Sequence, residues 1–192
     1  SASNNNKGVR EAWEKNYKII EAANNIINNI KVDESTAYAS TAKTAVGQAR
    51  FWRAFAYYYL VRIYGPLPII ENNSTAYNQQ PPSTIAQVYD YIVADMKAAI
   101  DVLPTSYTDE PAHHNGIDAY VTKQAAQSAL SAVYMSMAGY PLNKTEYYAQ
   151  AASLAKEVID HNGEYGFYLD SDWSHVYSMG HNYNKETIWG ID

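Results

Sequence analysis

The stretch AVGQARFWRAFAYYYLVRIYGPLPII, residues 45–70, decides which fold this chain adopts. Apolar and aromatic side chains dominate the run, which stops at Gly65-Pro66. Three interpretations are open: a membrane span, an aromatic ligand-binding box, or the buried helix of a larger domain. Three arginines lie within the run, and each would cost about 2.5–3.5 kcal/mol at the centre of a bilayer. A buried helix, predicted over residues 42–64, is therefore favoured.

The predicted helix over 42–64 is apolar around most of its circumference, which is typical of a helix buried in protein. Its aromatic side chains are therefore expected in the core or at helix interfaces: Phe51, Trp52, Phe55, Tyr58 and Tyr59. Small and aliphatic residues complete the same faces: Ala49, Ala56, Leu60 and Ile63. The polar ribbon contains Arg50 and Arg53, whose charges we expect carboxylates or helix-end carbonyls of the domain to satisfy. A partner-binding patch is the alternative for these arginines.

Four further segments repeat apolar residues with the helical period and predict helices over residues 9–31, 84–102, 121–138 and 144–161. Thr84 with Gln87, and Asn143 with Glu146, have the spacing of a capping box. The short link between the last two helices predicts that they pack antiparallel. Residues 65–83 and 103–120 form long connections, which in compact domains usually carry function or contact another segment.

These segments predict an all-α fold, with one helical scaffold over residues 11–162. Residues 1–10 are expected to form a disordered end. Residues 163–192 are expected to be rich in loops, and the alternating TIWGID at 187–192 predicts a short strand at the C-terminal end. Because the chain stops within that predicted strand, we expect a fragment that continues into a further C-terminal region.

The composition excludes several classes of function. The net charge of −6 and the lack of a basic run exclude nucleic-acid binding, which needs clustered Lys and Arg. Cysteine is absent, so disulfides, thiol catalysis and zinc-thiolate sites are excluded. No motif places a nucleophile beside a base or cradles a phosphate, and acids such as Asp170 and Asp172 have no defined spacing. We therefore expect no enzymatic activity, no catalytic residue and no cofactor.

The segment DEPAHHNG, residues 109–116, comes nearest to a metal-binding cluster. Its possible ligands are Asp109, Glu110, His113 and His114. Adjacent histidines in a loop rarely converge on one ion without a supporting motif such as HExxH. A solvated loop that holds no metal is the expectation here.

Nineteen tyrosines among 192 residues make the chain unusually rich in a side chain with a flat apolar face and a polar tip. Three aromatic residues in polar segments outside the predicted helices are of special interest: Tyr77, Trp173 and Tyr183. A sugar-binding site requires such rings for stacking, surrounded by amides and carboxylates that form hydrogen bonds. These three are the candidate glycan-binding residues. Inward packing that anchors the loops is the alternative.

The run QARFWRAFAYYYLVRIYGPLPII resembles the signature helix of the SusD/RagB family, close to A-x-F-x-R-A-x-x-Y-x-x-L-V-x-x-Y-G-x-x-P. The matching residues are Ala49, Phe51, Arg53, Ala54, Tyr57, Leu60, Val61, Tyr64, Gly65 and Pro68. Later segments follow in family order: YDYIVADMKAAIDVLP, then the helix pair from VTKQAAQ to AKEVID, then YNKETIWGID. The resemblance covers most of residues 11–192.

The resemblance implies an all-helical fold of irregular tetratricopeptide-like pairs and a non-catalytic protein that binds glycans. It also implies a lipid-anchored protein on the outer-membrane surface of Bacteroidetes, which delivers oligosaccharides to a SusC-like TonB-dependent transporter. Full-length members of the family are longer, so this chain resembles their first helical part. A helical scaffold for protein interactions, with no sugar site of its own, is the alternative function.

Overall fold

A computed structural model describes residues 7–73, 79–108, 112–114, 117–178 and 184–189. Five main helices follow one another: α1 Lys7–Asn29, α2 Ala39–Tyr64, α3 Ile85–Ile100, α4 Lys123–Ala138 and α5 Tyr147–Asp160. A short helix α6, Asn162–Tyr165, and a 3₁₀-helix, Trp173–Tyr177, come after them. The small strands β1 His113–His114 and β2 Ile117–Asp118 pair antiparallel. The all-α class and all five predicted helices are confirmed, with ends shifted by at most three residues, and residues 7–10 are helical.

The centre of the domain is α2, which packs against both α1 and α3. Near the start of α1, Trp13 meets Tyr64 at the end of α2, with ring centroids 4.9 Å apart. Asn24, further along α1, accepts a hydrogen bond of 2.7 Å from Arg53, which lies earlier in α2. These contacts run in opposite directions along the two helices, so α1 and α2 are antiparallel. The buried helix predicted from residues 45–70 is thereby confirmed.

The arginines of the polar ribbon both pair with one carboxylate on α3. Arg53 Nε lies 2.7 Å from Asp95 Oδ2 and Arg53 Nη2 2.9 Å from Asp95 Oδ1, while Arg50 Nη1 lies 2.9 Å from Asp95 Oδ1. Burial alone would lower the pKa of Arg53, but the hydrogen bonds and charge of Asp95 outweigh it and raise that pKa overall. The expectation that a carboxylate of the domain satisfies both arginines is confirmed.

The first half of the 65–83 connection is held against α1 and α2 by core side chains. The turn begins at Gly65, whose φ of 76° favours glycine. Tyr17 donates a hydrogen bond of 2.8 Å to the Pro68 carbonyl. The Ile70 N–H donates one of 2.7 Å to the Tyr57 hydroxyl. Buried backbone polar groups therefore find partners although this segment is neither helix nor sheet.

The α4–α5 pair packs antiparallel, as its short link predicts. Ser131 of α4 donates a hydrogen bond of 2.8 Å to the carbonyl of Ala151 in α5. Closer to the link, the rings of Tyr134 and Tyr147 stack with centroids 5.1 Å apart and planes 10° from parallel. Small residues on the α4 surface allow this close approach.

Two details predicted from the sequence are wrong. Ile63, predicted on a buried face, is 57% exposed, and Tyr59 is 47% exposed, because the last turns of α2 are covered on one side only. The second capping box is absent: α5 begins at Tyr147 after Glu146, whose side chain forms no capping hydrogen bond. Asn143 has a φ of 52° and belongs to the preceding turn, so it cannot cap a helix that begins four residues later.

The described part of the C-terminal segment, residues 184–189, contains no strand. Both Ile188 and Trp189 pack against the core. The Trp189 ring centroid lies 5.6 Å from that of Phe51 and 5.4 Å from that of Trp52 on α2. An aromatic contact with a helix thus replaces the predicted strand in this part; residues 190–192 lie outside the described residues. Within the described ranges, no helix is both long and apolar enough to span a membrane.

Candidate functional site

Trp173 is the sequence-predicted site residue whose position the structure describes. It opens the 3₁₀-helix Trp173–Tyr177, and its side chain is 74% exposed. An indole is a costly group to leave in water, since aromatic side chains gain the most from burial. Most of the surface of this side chain is thus accessible to solvent. A ligand that stacks on the indole would bury the part of the ring that is now exposed.

Acidic and hydroxyl groups hold the backbone around Trp173. Asp172 caps the 3₁₀-helix by accepting hydrogen bonds from the backbone N–H and the hydroxyl of Ser174, at 3.0 and 2.7 Å. Asp170 accepts one of 3.0 Å from the backbone N–H of Asp172. His175 lies between the two acids, with Nδ1 3.3 Å from Asp170 and Nε2 3.5 Å from Asp172. The tryptophan is therefore presented by an ordered polar turn.

The pKa of Asp170 lies below its ordinary value because the Asp172 N–H hydrogen bond and the neighbouring His175 stabilise the carboxylate form. An ionised carboxylate accepts hydrogen bonds from hydroxyl groups. The turn can therefore accept hydrogen bonds from a polyhydroxylated ligand.

The other two predicted glycan-binding residues, Tyr77 and Tyr183, lie outside the described residues. Of the possible metal ligands, Asp109 and Glu110 also lie outside them. His113 is described: its Nδ1 lies 2.9 Å from Asp118 Oδ1 across the small β1–β2 hairpin. Among the described residues, no group of three His, Asp or Glu side chains could hold a metal ion.

A cleft that the sequence did not reveal lies between the start of α2 and the described residues of the 103–120 connection. Its volume is about 390 Å³, within the range of about 300–1,000 Å³ of small-molecule pockets. Tyr107 and Tyr120 contribute aromatic rings, in a T-shaped pair with centroids 5.9 Å apart. Hydroxyl side chains also line it: Ser40, Thr41, Thr44, Ser106 and Thr108.

Gln48 of α2 fixes the connection that forms this cleft. Its Nε2 donates hydrogen bonds to the Tyr107 hydroxyl at 2.5 Å and to the Val121 carbonyl at 2.6 Å. Tyr107 in turn donates to the same carbonyl at 2.8 Å. Burial raises the pKa of Tyr107 to about 12, although the Gln48 hydrogen bond opposes it. Tyr107 is thus a neutral donor at any physiological pH.

The length of the 103–120 connection was the one signal in the sequence that pointed to this cleft. Its tyrosines were not distinguishable from the many others in the chain. The hydroxyls on the α2 side lie about 60 residues away along the chain, so no local motif joins the two walls.

Known proteins resemble this chain in both sequence and structure. The SusD-like_3 family model, described as "Starch-binding associating with outer membrane", matches residues 2–135. The chain is 27% identical over 183 residues to a SusD-like protein of Bacteroides ovatus, covering 92% of this chain and 31% of that relative. It is 28% identical over 194 residues to SusD-like protein P2 of Formosa agariphila, covering 96% of this chain and 34% of that relative.

Among solved structures, the chain is similar to surface glycan-binding protein A from Bacteroides uniformis, with a TM-score of 0.78 and 25% identity. That match covers 94% of this chain and 37% of the other. The chain thus spans about a third of the length of these relatives. Because the family model matches well over half of the residues, this chain belongs to the SusD-like family.

Proposed function

We propose that this chain is part of a non-catalytic glycan-binding protein at the outer-membrane surface, which delivers oligosaccharides to a SusC-like TonB-dependent transporter. The observation that carries the proposal is the exposed indole of Trp173 on an ordered turn of acids and hydroxyls. Membership of a family described as starch-binding and associated with the outer membrane supports it. So does the name of the Bacteroides uniformis surface glycan-binding protein.

Binding would use stacking of a sugar ring on Trp173 and hydrogen bonds to nearby acceptors. The ring supplies a flat apolar face for the C–H groups of a pyranose. Asp170, Asp172 and Ser174 supply oxygens at the base of the same turn. No covalent step and no cofactor take part. Tyr77 and Tyr183 remain candidate glycan-binding residues of this proposal.

The test is affinity electrophoresis of the chain through gels that each contain one polysaccharide, followed by titration calorimetry with the matching oligosaccharide. Trp173→Ala should weaken binding about tenfold, because loss of aromatic stacking worth about 1.4 kcal/mol is a tenfold change. Trp173→Phe should retain most of the affinity. Tyr148→Ala, which removes a 48% exposed aromatic on α5, is the matched control. Equal affinities for the chain and Trp173→Ala would contradict the assignment of Trp173.

A helical scaffold for protein interactions is the second candidate, and one observation favours it. Tyr59 and Ile63 lie one turn apart on α2 and are 47% and 57% exposed. Residues four apart on a helix share a face, so together they form an apolar surface on the central helix. Tryptophan fluorescence that responds to a transporter partner, but to none of the oligosaccharides, would favour this function over glycan binding.

A further inference from the structure

The dipeptide Asn162-Gly163 opens α6, just after the end of α5. An asparagine followed by glycine can convert spontaneously, because the next backbone nitrogen can attack the side-chain amide and glycine has no side chain to obstruct it. Both residues are exposed. We propose that Asn162 is a site of spontaneous deamidation, at which the folded chain changes to aspartate and isoaspartate as it ages. This modification does not depend on glycan binding.

The reaction needs water and no cofactor. The Gly163 backbone nitrogen loses its proton to solvent and forms a bond to Asn162 Cγ. The bond from Cγ to Nδ2 breaks, and Nδ2 takes up a proton from solvent and leaves as ammonia, so that a succinimide ring remains. Water then opens the ring at one of its two carbonyls. Breaking the bond from nitrogen to Cγ gives aspartate, and breaking the bond from nitrogen to the main-chain carbonyl carbon gives isoaspartate.

Both reacting groups of this site are accessible. No hydrogen bond joins the Gly163 N–H or the Asn162 side chain to a described residue. The N–H groups in the first turn of a helix have no acceptor within that helix, which is the position of Gly163 in α6. A Cβ built on Gly163 would meet nothing within 4 Å. Neighbouring atoms therefore do not obstruct the backbone movement that the attack requires.

Asn143 shows how an exposed asparagine elsewhere in the chain is protected. It lies in the tight turn before α5 and is exposed. The N–H that would attack its side chain is that of Lys144, which donates a hydrogen bond of 3.1 Å to the Met137 carbonyl. The lysine side chain also obstructs the approach. Asn143 is therefore expected to stay intact and is an internal control for Asn162.

Isoaspartate disrupts the short helix that connects α5 to the turn of Trp173. In this product the main chain runs through Cβ and Cγ, so it is one carbon longer at residue 162. Two hydrogen bonds of α6 span this point: the Glu164 N–H donates to the His161 carbonyl at 3.0 Å, and the Phe167 N–H donates to the Asn162 carbonyl at 2.8 Å. The longer chain cannot keep both. Ageing at Asn162 therefore loosens the segment that leads to Trp173.

The test is incubation of the folded chain in mildly alkaline buffer, followed by proteolytic digestion and mass spectrometry. The peptide that contains Asn162 should gain the mass difference between an amide and a carboxylic acid and separate into two chromatographic peaks. Peptide mapping distinguishes it from Asn115-Gly116, which lies outside the described residues. Gly163→Ala should slow the conversion about tenfold, because alanine obstructs the attack and restricts the backbone. The open space at this position accepts the added methyl group.

Freshly prepared Asn162→Asp supplies the aspartate product directly and separates the effect of its charge from that of the longer backbone. The amide NMR signals of Glu164 and Phe167 should move further in the isoaspartate product than in this variant. If Asn162 stays intact in the folded chain over the period in which the chain unfolded in urea converts, the proposal is overturned, because the fold then protects the site. Equal rates in Gly163→Ala and the original chain, or conversion of Asn143 as fast as that of Asn162, would also overturn it.

Discussion

Asp95 of α3 places a buried charge at the interface with α2. It is 2% exposed and faces two arginines, one of which, Arg53, is itself 5% exposed. Burying such charges is costly. A buried ion pair therefore adds little stability compared with apolar residues in place of all its members. Removal of one partner has a different effect, because the remaining charge stays buried without compensation.

We therefore expect Asp95→Ala to lower the free energy of unfolding by about 3–5 kcal/mol. Urea unfolding followed by circular dichroism measures the change. Asp90→Ala on the exposed side of the same helix is the control and should change stability by less than about 0.5 kcal/mol. A similar loss in both variants would show that the ion pairs contribute nothing specific.

The buried hydroxyl of Tyr57 should make the free energy of unfolding depend on pH. Burial raises its pKa to about 12 in the folded chain, against an ordinary value of 10.0 that we expect when unfolded. Below pH 10 Tyr57 keeps its proton in both the folded and the unfolded state, so its full contribution to the free energy of unfolding is present. As pH rises from 10 to 12 the unfolded state ionises first, and stability is lost.

In Tyr57→Phe the Ile70 N–H loses its buried acceptor, which should cost about 1–3 kcal/mol at pH 7. The difference in unfolding free energy between the original chain and this variant should shrink as pH rises from 10 to 12, because phenylalanine cannot ionise. Urea unfolding at each pH measures it. A constant difference across this range would contradict the shifted pKa.

Among the elements, α2 packs closely at Gly47 against the residues that follow α3. A Cβ added there would lie 2.6 Å from Val102 Cγ2 and 3.2 Å from Leu103 Cδ2. Alanine normally stabilises a helix by about 1 kcal/mol relative to glycine. Here the overlap with a β-branched side chain should cost about 1–3 kcal/mol and outweigh that gain.

Gly47→Ala should therefore destabilise the chain, and Val102→Ala should relieve the overlap. A double-mutant cycle in urea measures the coupling. We expect the double variant to be more stable than the sum of the two single changes predicts. Simple additivity would mean that the helix pair shifts to make room without cost.

At the scale of the whole molecule, α2 has packed helices on two sides and contains more buried residues than any other described helix. Amide hydrogens in the buried middle of α2 should exchange most slowly, with a free energy of opening close to that of global unfolding. Those in 163–178 should exchange much faster, because none of the described side chains there is buried. Hydrogen exchange measured by mass spectrometry tests this order. Slower exchange in α5 than in α2 would contradict it.

Much of the fold was predictable because its causes are local. The helical period of apolar residues indicated all five main helices, and the Thr84–Gln87 capping box is present as predicted. The capping box predicted from the Asn143–Glu146 spacing does not form, because Asn143 adopts a positive φ in a tight turn before the helix. Trp173 is the part of the candidate site that the sequence indicated. It could be predicted because an aromatic residue within a polar segment is a local signal, which depends on no distant residue.

The sequence by itself therefore determined the helices, their order and the family signature, since each depends on residues within a few turns of one another. Only the tertiary structure decided which carboxylate meets Arg53, 42 residues away, and that Gln48 would join Val121, 73 residues away, beside a cleft. It also decided that Trp189 docks on the aromatic face of α2 instead of extending a strand. Such contacts depend on how the helices pack, and a period of 3.6 residues says which face is buried but not against what.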